Sequence, residues 1–305
     1  MLKDLNMRGA MQKMIEGAQD KFCAALSTID DTPFQEDKWE RKDGGGGRTR
    51  VLSDGPILEK AGVNISVVHG TLSEEAISQM GGGQNSQSRE FFATGLSTVI
   101  HPRNPFAPTM HANVRYFERG AEDSPEDWWF GGGSDLTPCY LFDEDAQHFH
   151  QTWKDICDDS PGADYPHYKQ WCDEYFFIPH RQEHRGVGGI FFDNLKSHAP
   201  ELHFAFIEKI AMALSDAYLP ILEKRKDYPY EESHKAWQEV RRGRYVEFNL
   251  VYDRGTRFGL NTGGRIESIL MSLPLKARWE YQHQPASGSH EEKTLETLKK
   301  PKDWT

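Results

Sequence analysis

Apolar residues Met11, Met14, Ile15, Ala18, Phe22 and Leu26 recur every three or four positions. That is the spacing of one helix face, and it predicts an amphipathic helix opening the chain. The pattern then shortens to a period of two, the mark of strands. Strand signals cover Val63–Val68 and then, in quick succession, Glu90–Ile100, Met110–Glu118 and Trp128–Gly131. Short connections between consecutive strands favour antiparallel pairing. Between the first helix and these strands lies Asp37–Gly47, dense in charge and glycine. There Gly44–Gly47 reads as a flexible turn ahead of the strand-like Arg48–Leu52. Ser73–Met80 reads as a helical turn ended by three glycines.

The middle of the chain is helical. Asp143–Cys157 and Tyr165–Phe177 flank the loop signal Ser160-Pro161-Gly162. Ile207, Ile210, Leu214, Ala217 and Ile221 predict one long helix over Glu201–Lys226, with Pro220 as a possible kink, and Tyr230–Arg241 predicts another. Tyr245–Asp253 alternates again and predicts a final strand, followed by a strand or short helix over Gly263–Pro274. The polar stretch from about Gln282 to Thr305 predicts a loose tail. Strands first, helices second and a last strand give an α+β fold, with helices covering an antiparallel sheet in one domain over 1–305.

Composition narrows the function. The 305 residues carry a formal net charge of −11, which disfavours general nucleic-acid binding. An anionic substrate must therefore be met by placed cations. No apolar run approaches the ~20 residues needed to cross a bilayer. Asp4, Glu16 and Asp20 in the first segment argue against a secretory or transit peptide, so a cytoplasmic protein is expected. The four cysteines show no C-x-x-C pattern, and reduced thiols are expected.

The chemistry concentrates in Ser97–Arg115. Strand alternation puts His111, Asn113 and Arg115 on one face, and Ser97, Val99 and His101 on one face of the preceding strand. Hydrogen-bonding groups beside a cation outline a site for an anion. Asp253 leads into a glycine- and arginine-rich stretch ending in Gly263, Gly264 and Arg265, where backbone N–H groups and a guanidinium suit a carboxylate. Trp128-Trp129-Phe130 running into Gly131–Asp135 offers rings to wall a flat ligand and a carboxylate behind them. His101, His111, His150 and His180 are scattered and would make a metal site only if tertiary folding gathered them. Metalloprotease, serine-hydrolase and nucleotide-binding motifs are absent, and nothing marks a flavin, NAD or haem site.

Several of these segments together resemble the oxygen-dependent coproporphyrinogen III oxidases of haem and chlorophyll biosynthesis. They are G-G-G-G-R-T-R-V from Gly44, the Ser97–Arg115 block, W-W-F-G-G-G-S-D-L-T-P from Trp128, and I-P-H-R from Ile178. R-Y-V-E-F-N-L-V-Y-D-R-G-T from Arg244 and G-L-N-T-G-G-R-I-E-S-I-L from Gly259 complete the set. The resemblance covers nearly the whole chain apart from the tail. It implies a large, flat antiparallel sheet flanked by helices on both faces, and a homodimer whose contact lies at about 245–280. It also implies oxidative decarboxylation of two propionates of coproporphyrinogen III to vinyl groups, giving protoporphyrinogen IX. Molecular oxygen is the co-substrate and no organic cofactor takes part.

By the same resemblance His111 is a proton donor that acts with Asp253 and Arg115. Ser97, Asn113, Val114, Arg115, Asp135, Gly263, Gly264 and Arg265 bind substrate. His101, His111, His150 and His180 are the set assigned to a divalent metal in bacterial members. Two other readings are a non-catalytic porphyrin or haem carrier built on the same pocket, and a metal-dependent oxygenase or hydrolase acting on another ligand.

Overall fold

The structure is a computed structural model describing residues 6–74, 77, 88–122, 124–196, 199–261 and 264–305. Helix α1 (Met7–Leu26) is capped by the Asn6 side chain, which accepts from the Gly9 N–H. Six strands follow: β1 (Gln35–Glu40), β2 (Gly45–Ser53), β3 (Leu58–Thr71), β4 (Glu90–Pro102), β5 (Thr109–Ala121) and β6 (Ser124–Thr137). Helices α2 (Asp143–Asp158) and α3 (Tyr165–Tyr175) lead through the two-residue strands β7 (Phe177–Ile178) and β8 (Glu183–His184) to β9 (Gly188–Leu195). The chain ends in α4 (Pro200–Met212), α5 (Leu214–Arg225), α6 (Glu232–Val251), α7 (Arg254–Asn261), α8 (Ile266–Leu270) and α9 (His290–Lys299). The large sheet is antiparallel throughout, in the order β1-β2-β3-β4-β5-β6-β9.

Alternation decides which face is core. Leu52, Ala61, Val63, Ile65, Leu96, Ile100, Met110, Ala112, Val114, Tyr116, Leu136, Ile190 and Phe192 line one face and form the main hydrophobic core with α1, α2, α4 and α5. Burying each large side chain contributes ~1.5–3 kcal/mol. The opposite face carries the polar positions and is partly covered by α6 and the segment through α8. Helices therefore flank both faces, as expected.

Several local expectations are overturned. Tyr245–Asp253 is no strand: α6 runs unbroken as far as Val251, with Trp237, Tyr245 and Phe248 buried at helical spacing. The alternating Val246, Phe248, Leu250 and Tyr252 mislead because Leu250 faces outward and is exposed. The single helix expected over Glu201–Lys226 is two, interrupted at Ala213. Pro220 sits inside the second and has no N–H to give the Asp216 carbonyl. The His148 Nε2–H donates to that carbonyl instead, at 2.9 Å. Gly45–Gly47 already belong to β2, all three paired with β3 and Gly46 and Gly47 with β1 as well. The turn expected over Ser73–Met80 falls largely outside the described residues.

The expected loose tail is also corrected. Ser289 caps α9, accepting from the Glu292 N–H, and Leu298 and Trp304 are buried in the main core. Two large apolar side chains, one in the last turn of α9 and one just beyond it, supply the reason, and a count of polar residues hides them. Trp304→Ala is expected to lower unfolding free energy by ~3–5 kcal/mol. An unchanged urea midpoint would place the tail outside the cooperative fold.

Candidate active site

Directly paired residues of an antiparallel sheet share a face, so the registers assemble the site row by row. One row crosses all seven strands: Asp37, Thr49, Asn64, Ser97, Asn113, Gly133 and Phe191. The next holds Trp39, Gly47, Ser66, Gly95, Arg115 and Gly131. On the other side lie Gln35, Val51, Gly62, Val99, His111, Asp135 and Gly189. Ser97, His111, Asn113 and Arg115 thus stand side by side, half-buried, as their alternation predicts.

The third row is roofed at its middle. Met271 lies on Gly62, where a Cβ would come within 2.8 Å of its sulfur. The first two rows are the open floor, bounded beyond Arg115 by the stacked Phe117 and Trp129 rings, 4.4 Å apart.

Arg115 is held at both ends of its guanidinium. Nη1 donates to Asn113 Oδ1 at 2.8 Å and Nη2 pairs with Asp193 Oδ1 at 2.9 Å, yet the side chain is 36% exposed. Gly131 makes room for it: a Cβ there would lie 2.8 Å from Arg115 Nε and 2.6 Å from Asp193 Oδ1. Arg265 stands at the other end of the strip, paired with Asp37 and with its guanidinium over the Trp39 ring. Four inter-strand steps of ~4.8 Å put β1 and β5 roughly 19 Å apart.

His111 Nδ1 donates to Asp135 Oδ1 at 2.8 Å, because an ionised carboxylate can only accept. That leaves Nε2 with no protein partner among the described residues. Asp135 is 1% exposed, and both its oxygens also accept from Arg185 Nη2 at 2.8 Å. Burial would raise this carboxyl, but the Arg185 charge and the His111 hydrogen bond outweigh it and hold it below the usual range. Asp135 therefore supports His111 and does not meet a ligand itself, a correction to its expected role.

Asp253 is the residue before α7. Its Oδ2 accepts from the Thr256 N–H at 2.7 Å, an N-cap, and its Oδ1 from the Tyr175 hydroxyl at 2.8 Å. Burial and the neighbouring Asp253 push the Tyr175 hydroxyl up to about 12. The Tyr175 ring stacks on Phe191 at 4.2 Å, which places Asp253 at the β9 end of the polar face. Glu247 and Asn249, which a strand over Tyr245–Asp253 would put on the same face as Asp253, are on α6 and engaged elsewhere. Glu247 binds His180, Arg181 and Trp279, and Asn249 accepts from Arg185.

Other expected site residues fare differently. Val114 points into the core beneath the sheet, since it alternates with Asn113 and Arg115. The Gly264 N–H donates to the Gly259 carbonyl at 2.7 Å and so is not free for a ligand. Gly263 lies outside the described residues.

The histidine set does not suit a metal. His101 bonds Thr109 and the Ser272 carbonyl, and His150, on α2, bonds Tyr165 and the Val187 carbonyl. His180 bonds Tyr252 and Glu247. Each of these three has both ring nitrogens engaged, and they belong to separate neighbourhoods. Among the described residues no three His, Cys, Asp or Glu gather as ligands.

A profile of the family described as coproporphyrinogen III oxidase matches residues 10–304. The chain belongs to that family. It is 54% identical to the oxygen-dependent coproporphyrinogen-III oxidase, chloroplastic, of Glycine max, over 98% of this chain and 80% of the relative. The mitochondrial protein of that name from Rattus norvegicus is 56% identical over 98% of this chain and 69% of the relative. The Drosophila melanogaster oxygen-dependent coproporphyrinogen-III oxidase is 54% identical over 98% and 78%. All four cysteines are unpaired and buried, and among the described residues no helix is long and apolar enough to cross a membrane.

Sequence reasoning missed Asp37, Asp193 and Arg185. Thr49, Asn64 and Ser66 were legible as the polar positions of alternating stretches. Arg185, in a connection between strands, gave no periodic signal at all.

Proposed function

We propose that the chain oxidatively decarboxylates two propionates of coproporphyrinogen III to vinyl groups, giving protoporphyrinogen IX for haem or chlorophyll synthesis. Each step converts R–CH₂CH₂–COO⁻, O₂ and a proton into R–CH=CH₂, CO₂ and H₂O₂. Two electrons and a β-hydrogen pass from substrate to oxygen, so dioxygen is co-substrate and acceptor. The observation that carries the reading is one sheet face on which an acidic protein concentrates Arg115, Ser97, Asn113 and His111, with Arg265 and Asp253 at its two ends.

In this reading Arg115 and Arg265 take carboxylate arms, each charged hydrogen bond contributing ~1.5–3 kcal/mol. Asp253 accepts from pyrrole N–H groups, and His111 exchanges a proton through Nε2. The four histidines do not fit a divalent metal, and none of these roles uses one.

The decisive experiment is anaerobic incubation with coproporphyrinogen III, followed by air and chromatography. CO₂ and protoporphyrinogen are expected only after oxygen enters. Turnover under argon with another electron acceptor would overturn the oxygen dependence.

A homodimer is part of the same proposal. Leu250, Val251, Leu260, Ile266, Leu275, Trp279 and Tyr281 are exposed large apolar side chains, all within or beside the 245–280 region. Such clustering suits a partner surface. A second copy is the occupant proposed, and sedimentation at micromolar concentration decides it. The relatives' names place them in chloroplasts and mitochondria. A cytoplasmic location for this chain is a separate proposal, decided by cell fractionation.

A further inference from the structure

Arg185 is fully buried and acidic groups hold only part of it. Nη2 reaches both oxygens of Asp135 at 2.8 Å, and Nη1 donates to Asn249 on α6 at 2.6 Å. Phe176, Tyr245 and Phe248 stack on the guanidinium at 4.1, 4.4 and 5.0 Å. Its Nε has no partner among the described residues. The site thus leaves one donor of a buried cation unsatisfied while fixing the plane and aim of another.

Burying a charge costs several kcal/mol, and a tight ion pair does not by itself return a net gain in stability. A planar, ring-stacked fork does something a flexible ammonium cannot: it sets the angle of the carboxylate it grips. That carboxylate in turn receives His111 Nδ1–H at 2.8 Å.

We propose that Arg185 is a positioning residue for the reaction: by gripping Asp135 it holds the His111 ring with Nδ1–H inward and Nε2 toward the open floor. The inference rests on the function proposed above for its substrate, but not for its structural arm. Arg185 touches no substrate, because the Asp135 carboxylate and three rings enclose it. Its effect must therefore appear in the turnover step and in the His111 ring. A misaimed proton donor costs on the order of 10²-fold in rate while the arms of the substrate still bind.

The test uses Arg185→Lys, which keeps the charge, and Asp135→Asn, singly and combined. It measures kcat and KM with coproporphyrinogen III under air, and the ¹⁵N resonances of His111 in the ligand-free protein. Expected for Arg185→Lys are a kcat lowered ~100-fold, a KM within ~3-fold of the parent, and loss of the single Nδ1–H tautomer. The double variant should be no slower than the slower single variant. Unchanged kcat, a lowered kcat with an unaltered His111 spectrum, or multiplicative losses in the double variant would overturn the proposal. Should Arg185→Lys not fold, the neutral pair Arg185→Met with Asp135→Asn carries the same two measurements. A parent that turns over no coproporphyrinogen would sink the function proposed above, and the His111 spectra would still decide this one.

Discussion

Asp253→Asn is expected to lower kcat by ~100-fold or more with KM within ~3-fold of the parent. The range follows from general acid–base catalysis, where one positioned proton acceptor contributes ~10²–10⁴-fold. Asparagine preserves what Asp253 does for the fold. Its side-chain oxygen still caps the Thr256 N–H, and Asn and Asp are equivalent caps. What the substitution removes is the charge beside Tyr175 and the floor. Arg115→Ala should behave differently, raising KM and lowering kcat together, because a partly exposed guanidinium grips the arm in both ground and transition states. Steady-state kinetics with a thermal melt on each variant separates the cases. An Asp253→Asn enzyme as fast as the parent would remove Asp253 from the chemistry and leave it a helix cap.

Mild acid should destabilise the fold through two histidines that play no part in that chemistry. Burial pushes the His101 and His150 imidazoles down to about 3. An unfolded chain titrates them near 6.5, so below that pH the unfolded state binds protons the folded state refuses. The contribution is therefore complete above pH 6.5 and is lost as pH falls toward 3. Two such groups imply a slope approaching ~3 kcal/mol per pH unit, and a loss on the order of 4 kcal/mol by pH 5. Glu247, held down to about 2 against its own burial by Arg181 and His180, joins only below the ordinary glutamate range. Urea unfolding at pH 7.5 and pH 5 reads the difference directly. Equal midpoints would mean that water or a rearrangement reaches both rings.

Much of the sheet was legible because alternation has one physical cause wherever a strand has one dry face and one wet face. Residues 91–98 and 110–118 alternate half-buried and buried, so Ser97, His111, Asn113 and Arg115 could be placed on one surface from spacing alone. The α6 error has the same root seen from the other side. Leu250 and Val251 are apolar yet exposed, and periodicity cannot tell an apolar residue facing a core from one facing outward. The tail was misjudged for the complementary reason, two buried side chains among many polar ones. Asp135 shows the limit for site residues: its place behind the aromatic strand signal was legible, but only its neighbours show that it is sealed beneath His111.

By itself the sequence determined the α+β class, the opening helix, the central strands with the face each side chain takes, and the family motifs. These are consequences of local geometry, since the pleat and the helical turn repeat over a few residues. Only the tertiary structure decided that Arg265 meets β1 while Arg115 stands on β5, that His101, His150 and His180 never meet, and that Arg185 reaches Asp135. Those facts depend on contacts between residues far apart in the chain, 50 positions for Arg185 and Asp135 and 228 for Arg265 and Asp37, and the order in which strands and helices pack is set by the whole core.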